Sequence, residues 1–351
     1  MKKKYIANIG SGFYQISIIK IAKQLGYKVI SCDINPSAIA LKYADKKIIV
    51  DCHNPQKVYE KLKKYKKLLS GIVTGSARKS ILTCAYLAKK FNLTYLNLKV
   101  AKDTLNKALL SKKFNNNNFL SHSILQKLNS QKNLKKIVIK SNTISGQGGI
   151  GVFKLNTKNE KLKKFYNKFN SKEVTIEKFF PGHHLIVTGI SLNKNYLIYA
   201  CMEKKVDKNL KTISISTKSF FVKKYKKEIE KYVKNILTTI KFDNAPFQVE
   251  FVMNKRKIFH LGEIEASITG SFVSDIIIPL STGENFISDC IDVYVEKKNL
   301  KESINKYQDI KVVFQTKKNR IYNLKNKEKI LKVINLKNKI RTLQSAIIIK
   351  N

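Results

Sequence analysis

Residues 8–36, NIGSGFYQISIIKIAKQLGYKVISCDINP, decide the fold of the N-terminal part of the chain. An apolar strand leads into Gly10-x-Gly12, a helical pattern follows, and a second apolar strand ends at Asp33. A Gly-x-Gly turn after a strand, with an acidic residue closing the next strand, matches much of the dinucleotide-binding fingerprint. The third glycine of that fingerprint is replaced by Gln15. The stretch therefore predicts a βαβ unit and leaves open whether NAD is its ligand.

The same alternation of short strands and amphipathic helices continues through residues 5–100. The strands are predicted at YIANIG, KVISCD, KKIIVD and LSGIVTG, and the helices at QISIIKIAKQLG, PQKVYEKLKKYKKLL and RKSILTCAYLAKKFNL. Such alternation predicts a parallel sheet with right-handed crossovers. From residue 137 the chain reads mainly as strands, with one helix at about 223–240. We therefore expect a domain boundary near residue 100.

The charge of the chain raises the question of an anionic partner. The 351 residues carry a formal net charge of +45, yet only four of the 69 basic residues are arginine. Lysine, asparagine and isoleucine are over-used throughout, which is typical of an AT-rich genome and favours solvated lysine-rich helix faces. A phosphate-binding surface would more often cluster its charge and include arginine. We expect no nucleic-acid partner, although a real anionic partner stays open.

The remaining composition predicts reduced thiols and no membrane span. A hydrophobic content of 43% suits two or three domains with sizeable cores. The five cysteines contain no CxxC pair, which favours buried thiols. No run of 18 apolar residues and no signal-peptide pattern occurs, so we expect no membrane span and a cytoplasmic location.

A glycine-rich segment at 137–156, IVIKSNTISGQGGIGVFKLN, predicts a phosphate-binding loop. A β-branched strand delivers Lys140 to this loop, which contains Ser145, Gly146, Gly148 and Gly149. Backbone N–H groups of such a loop can wrap phosphates, and a strand-borne lysine adds a fixed positive charge. The loop is not a Walker loop, because no GKS or GKT opens a helix. The alternative is an ordinary glycine-rich hairpin with an exposed lysine.

Three glutamates in the predicted hairpin 247–267, FQVEFVMNKRKIFHLGEIEAS, suggest a metal site. Glu250 lies on one strand, while Glu263 and Glu265 lie two apart on the other and so share a face. Carboxylates among apolar strands are costly unless a cation joins them. Mg²⁺ bound through carboxylates and nucleotide phosphates fits this pattern. The alternative is that a lysine neutralises them.

Taken in order, these features resemble the ATP-grasp superfamily, the broad group that includes biotin carboxylase and carbamoyl phosphate synthetase. A Rossmann-like unit is followed by the lysine and glycine-rich loop, by EKFFPG at 177–182, by the glutamate strands and by STGEN at 281–285. The resemblance covers about residues 5–295. It implies an α/β chain with a Rossmann-like pre-ATP-grasp domain at 1–100 and an α+β ATP-grasp domain at 101–295. A lid subdomain would lie at about 137–205 and a C-terminal segment at 296–351.

The resemblance also implies roles for single residues. Lys107 and Lys140 would contact ATP phosphates under the 145–151 loop, and His184 would lie near the ribose. The hinge beside adenine would consist of Glu177, Lys178, Phe179 and Phe180. Glu250, Glu263 and Glu265 would bind Mg²⁺.

One departure from the family pattern concerns the substrate end of the site. The family pattern E-x-N-x-R reads here Glu263, Glu265 and Ser267, so a serine stands where an arginine is expected. We expect Arg78 to replace that arginine, as a catalytic residue beside Lys140 and as a substrate-binding residue. The alternative is that Arg78 merely begins the helix RKSILTCAYLAKK. Ser267, Gly10 and Gly12 would also face the substrate.

The implied chemistry is ATP-dependent ligation with Mg²⁺. A carboxylate attacks the γ-phosphate to give an acyl phosphate and ADP, and an amine or similar nucleophile then displaces phosphate. The partners would be small molecules, and whether the chain forms a homodimer stays open. Two other classes also stay open: an NAD-dependent oxidoreductase, based on residues 8–33, and a non-catalytic basic nucleic-acid-binding protein, based on the charge.

Overall fold

The structure is a computed structural model with a mixed α/β architecture, in which the described residues form three sheets. It describes residues 5–115, 119–120, 136–141, 149–154, 164–165, 167, 174–296, 304–306, 308–315, 329–336 and 345–350. No helix in this described part of the chain is long and apolar enough to cross a membrane.

The N-terminal sheet has four strands in the order β3-β2-β1-β4 and every pairing is parallel, as predicted. Its elements are β1 (Tyr5–Ile9), α1 (Gln15–Gln24), β2 (Lys28–Asp33), β3 (Lys46–Ile49), α2 (Pro55–Leu62), β4 (Leu69–Val73) and α3 (Lys79–Phe91). Residues Lys63–Leu68 form a 3₁₀ turn, so the second predicted helix ends earlier than its pattern indicated. The carboxyl ends of these strands meet at one edge, where ligands of open α/β sheets bind.

Two short helices, α4 (Leu98–Leu105) and α5 (Lys107–Phe114), connect this sheet to the rest of the chain. The side chain of Asn106 accepts a hydrogen bond from the Leu109 N–H and so caps α5, which begins at Lys107. At the other end of α5, the Asn115 amide exchanges two hydrogen bonds of 2.8 Å with the backbone of Leu261. These contacts fix Lys107 against the edge of the central sheet.

A small antiparallel sheet, here called the lid sheet, has the strand order β5-β8-β6-β7. Its strands are β5 (Phe119–Leu120), β6 (Lys136–Ser141), β7 (Ile150–Lys154) and β8 (Val174–Lys178). Strand β6 carries Lys140 between β7 and β8, next to the strand that carries Glu177.

The central sheet is antiparallel and has eight strands in the order β13-β12-β9-β10-β11-β14-β16-β15. They are β9 (His183–Leu192), β10 (Asn195–Val206), β11 (Thr212–Ser216), β12 (Ala245–Met253), β13 (Phe259–Glu265), β14 (Ile310–Gln315), β15 (Lys329–Asn335) and β16 (Ser345–Lys350). The predicted hairpin is confirmed as β12 and β13. The strands beyond residue 296 extend this sheet, while the predicted domain boundaries stay predictions.

Helices α6 (Phe220–Lys224), α7 (Lys226–Thr239), α8 (Ile278–Thr282) and α9 (Phe286–Tyr294) complete the fold. Helix α7 confirms the predicted helix and buries one apolar stripe, which is Ile229, Val233, Ile236 and Leu237. The chain after β13 lies on the N-terminal sheet, because the Ile268 N–H donates to the Thr74 carbonyl at 3.0 Å. The carboxyl edge of the N-terminal sheet is thereby placed beside the end of β13.

Candidate functional site

A cleft that is open to solvent lies between the lid sheet and the central sheet. The predicted residues that line it are Lys107, Lys140, Glu177, Lys178, Phe179, Phe180, His184, Glu250 and Glu263. The fold thus gathers side chains that lie more than 150 positions apart in the sequence.

Other predicted site residues do not line this cleft. They are Gly149, Glu265, Gly10, Gly12, Arg78 and Ser267. Ser145, Gly146 and Gly148 lie outside the described residues. The roles predicted for all of these side chains stay predictions.

The inner wall of the cleft is a buried charged group formed by three side chains. Lys140 Nζ lies 2.6 Å from Glu177 Oε2, and His260 Nε2 lies 2.8 Å from the same oxygen. Burial alone would raise the pKa of Glu177, but Lys140 and His260 outweigh it and lower that pKa to about 2. Lys140 is only 8% exposed, so the alternative of an exposed hairpin lysine is wrong.

The segment after β8 forms the next wall. The Phe179 N–H donates to the Lys136 carbonyl at 3.1 Å, which holds the segment against β6. The ring of Phe180 stacks on His260 with 5.4 Å between centroids. His260 is not among the predicted site residues, because a single histidine on an apolar strand carries no spacing signal.

The two adjacent histidines point to opposite sides of β9. His184 lines the cleft, whereas His183 stacks on Phe221 and contacts Glu203 at 2.8 Å. Burial, together with the charges of Lys204 and Lys140, lowers the pKa of His184 to about 4. His184 is therefore a neutral imidazole at pH 7.

The carboxylates of the hairpin face each other across β12 and β13. Glu250 is paired in register with Glu263, and Glu265 is paired with Gln248. Burial raises the pKa of Glu265 to about 8, and the charges of Glu263 and Glu250 add to this. A pKa this high means that Glu265 holds a proton for much of the time at pH 7.

Basic side chains neutralise these carboxylates. Lys204 Nζ contacts Glu250 Oε2, while Arg78 and Lys107 lie 3.5 and 3.6 Å from Glu263 Oε1. Burial lowers the pKa of Lys107, and Glu263 partly offsets this effect. The contacts in the structure thus agree with the alternative stated above, in which lysines and not a metal ion neutralise the hairpin glutamates.

The predicted metal ligands form only a partial set. Among the residues that the structure describes, no group of three or more His, Cys, Asp or Glu side chains is arranged to hold a metal ion. Glu250 and Glu263 nevertheless bring oxygen donors together from adjacent strands, and oxygen is the donor that Mg²⁺ prefers. The two residues therefore fit a metal that also takes ligands from bound phosphates.

Arg78 directly precedes helix α3, and its side chain reaches Glu263. Its backbone has φ 63° and ψ −117°, a conformation that side-chain-bearing residues rarely adopt. The guanidinium is buried, lies 3.5 Å from Glu263 and donates to the Ser141 carbonyl at 3.4 Å. Arg78 thus joins the N-terminal sheet to both the lid sheet and the central sheet, at a strained backbone position.

The Gly10-x-Gly12 turn is held by contacts within the N-terminal sheet. Asp33 accepts hydrogen bonds from the N–H groups of Ser11 at 2.7 Å and of Asn35 at 2.9 Å. One oxygen of Asp33 therefore holds the Gly10-x-Gly12 turn, and the other holds the turn that follows β2. Gly10 has φ +91°, which explains the glycine at this position.

Gln15, in the third glycine position, links two loops at the carboxyl edge. Its amide donates to Ser76 Oγ at 2.7 Å and accepts from the Gly75 N–H at 3.0 Å. Ser267 is buried close by, in the segment that lies on Thr74.

Comparisons with known proteins support this architecture. The structure of an L-amino acid ligase from Bacillus licheniformis matches with a TM-score of 0.79 and 15% identity, over 100% of this chain and 94% of that chain. Biotin carboxylase from Campylobacter jejuni, in a β,γ-ATP complex, matches with a TM-score of 0.75 and 14% identity, over 99% and 87% of the two chains. Phosphoribosylglycinamide synthetase from Anaerococcus prevotii matches with a TM-score of 0.72 and 15% identity, over 99% and 94%.

No protein-family model matches the sequence, and no curated protein matches it either. At these identities the likeness lies in the arrangement of strands and helices over nearly the whole chain. The chain therefore has the fold of the ATP-grasp carboxylate–amine ligases.

Proposed function

We propose that the protein is an ATP-dependent ligase that activates a carboxylate as an acyl phosphate for attack by an amine or a similar nucleophile. The observation that carries this proposal is the set of side chains that line one cleft. The buried Lys140–Glu177 pair, the Phe179–Phe180 segment and the glutamate Glu250 all face it. Among proteins of the same fold, one is an L-amino acid ligase and another is described as a biotin carboxylase in a β,γ-ATP complex.

The nucleotide would lie along the cleft from Phe179 towards Glu263. Adenine would occupy the apolar end beside Phe179 and Phe180, where backbone groups of the segment can read the base. The phosphates would extend towards Lys140 and Lys107, both of which line the cleft. Charge-assisted hydrogen bonds from two fixed lysines suit a polyphosphate.

A divalent cation would be held by Glu250 and Glu263, with bound phosphates as further ligands. When bound, Mg²⁺ would neutralise negative charge on the phosphates. Glu265 lies near these carboxylates without lining the cleft, so we assign it a supporting electrostatic role.

The reaction would need no covalent protein nucleophile. A carboxylate oxygen of the substrate attacks the γ-phosphorus, and the bond between that phosphorus and the ADP oxygen breaks. The amine then attacks the acyl carbon, and phosphate leaves. Lys140 and Lys107 orient the phosphates, and Arg78 can hold the carboxylate or acyl phosphate with its planar guanidinium. Catalysis of this kind consists mainly of positioning and electrostatic stabilisation.

A binding test followed by an activity screen examines the proposal. Thermal unfolding would be measured in three samples, which contain ATP and Mg²⁺, NAD, or no ligand. We expect ATP with Mg²⁺ to raise the unfolding temperature and NAD to leave it unchanged. Pairs of amino acids and small carboxylates would then be screened for ADP release. Stabilisation by NAD instead of ATP would contradict the proposal, and ATP binding without ADP release from any pair would indicate a non-catalytic member of the fold.

A further inference from the structure

Glu250 is held on both carboxylate oxygens by side chains of its own sheet. Lys204 Nζ contacts Oε2, and Gln248 Nε2 donates to Oε1 at 3.0 Å. The facing carboxylate of Glu263 has its two cations farther away, at 3.5 and 3.6 Å. Lys204 therefore contacts Glu250 directly, while Arg78 and Lys107 lie on the Glu263 side of this pair.

The central sheet places Lys204 inside the cleft. Lys204 is opposite His184 in the register of β10 and β9, and His184 is opposite Val252 on β12. Residues directly opposite one another share a face of the sheet, and Glu250 shares it as well because it lies two positions from Val252. The Lys204 side chain is 16% exposed, whereas the next residue, Lys205, is exposed to solvent.

Lys204 and a divalent cation would require the same carboxylate. A buried ammonium needs an anion beside it, because its desolvation is otherwise costly. A divalent cation at Glu250 would repel the ammonium at short range. Metal binding therefore weakens the contact between Lys204 and Glu250, and the phosphates of a bound nucleotide are the anions to which the ammonium can turn.

We infer that Lys204 couples metal binding to nucleotide binding. The lysine competes with a divalent cation for Glu250, and a bound nucleotide relieves the competition by taking the ammonium onto its phosphates. This inference rests on the proposed function, since it treats Glu250 as a metal ligand of the nucleotide site. Coupling between two binding sites is reciprocal, so the metal raises the affinity for nucleotide by the same factor.

Binding of Mn²⁺, measured by electron paramagnetic resonance, tests the inference without requiring activity. We expect Lys204→Met to bind Mn²⁺ alone about ten-fold more tightly than the wild type. A non-hydrolysable ATP analogue should raise the Mn²⁺ affinity of both proteins, and the factor by which it does so should be about ten-fold smaller in the variant than in the wild type. Lys205→Met removes the same charge one position away on the exposed face, and it should behave as the wild type. Lys204→Gln gives a second neutral variant if Lys204→Met does not fold.

Two outcomes would overturn the inference. The first is unchanged or weaker Mn²⁺ binding by the folded Lys204 variants, and the second is no Mn²⁺ binding by any variant. Binding of a fluorescent ATP analogue, measured separately, reports on the proposed function. Tighter Mn²⁺ binding by Lys204→Met, together with no nucleotide binding by any variant, would contradict the proposed function and leave the competition for Glu250 standing.

Discussion

Lys140 and Glu177 form an ion pair of 2.6 Å whose side chains are only 10% and 2% exposed. Removing one partner of such a pair leaves a buried charge, which typically costs about 3–5 kcal/mol. We therefore expect Lys140→Ala to lower the free energy of unfolding by about that amount and to weaken ATP binding severely. Urea unfolding and titration with a fluorescent ATP analogue would measure the two effects.

A double variant separates the two roles of Lys140. In Lys140→Met combined with Glu177→Gln, the buried charge is gone, so most of the lost stability should return. ATP binding should stay weak, because the phosphate contact is still missing. Recovery of wild-type ATP affinity in the double variant would show that Lys140 acts only through the stability of the lid sheet.

The sequence predicted the fold and much of the cleft, because both depend on local patterns. Alternating strands and helices indicate the parallel sheet, and Lys140 precedes a run of glycines. Lys204 and His260 had no comparable signal. Lysine is so abundant in this chain that a buried lysine cannot be told from a solvated one until β9 and β10 are paired. His260 gains its meaning only from Glu177, which lies on a different sheet.

The lowered pKa of His184 predicts a pH dependence of stability. The unfolded imidazole binds a proton below its ordinary pKa of 6.5, whereas the folded one does so only below about 4. The unfolded state therefore holds more protons between these values, and stability rises with pH across this window. His184→Asn should remove about 2 kcal/mol of the difference between about pH 4.5 and pH 7.

Urea unfolding of the wild type and of His184→Asn at both pH values measures this difference. His53→Asn is the matched control, because His53 is an exposed histidine away from the cleft. An equal pH dependence in His184→Asn and the wild type would mean that burial of His184 does not affect its protonation.

The facing glutamates predict a changed metal requirement. Glu250→Gln and Glu263→Gln each remove one carboxylate that would hold Mg²⁺, so each should raise the Mg²⁺ concentration for half-maximal ADP release about ten-fold. Glu228→Gln is the control, since Glu228 pairs with Lys257 away from the cleft. Superimposable Mg²⁺ titrations of the wild type and all variants would show that Glu250 and Glu263 do not bind the metal.

Arg78 is expected to act on the chemical step and not on ATP binding. The guanidinium reaches Glu263 from the carboxyl edge of the N-terminal sheet, beyond the residues that line the cleft. Lysine keeps the positive charge and the constraint on φ, but it lacks the planar fork that matches a carboxylate or an acyl phosphate. Arg78→Lys should therefore lower turnover about ten-fold, which corresponds to about 1.4 kcal/mol, while the affinity for ATP stays close to that of the wild type.

Steady-state kinetics of ADP release, with ATP affinity measured separately, would test this expectation. Wild-type turnover in Arg78→Lys would mean that charge alone matters at this position, and an equal loss of ATP affinity and turnover would place Arg78 in the nucleotide site instead.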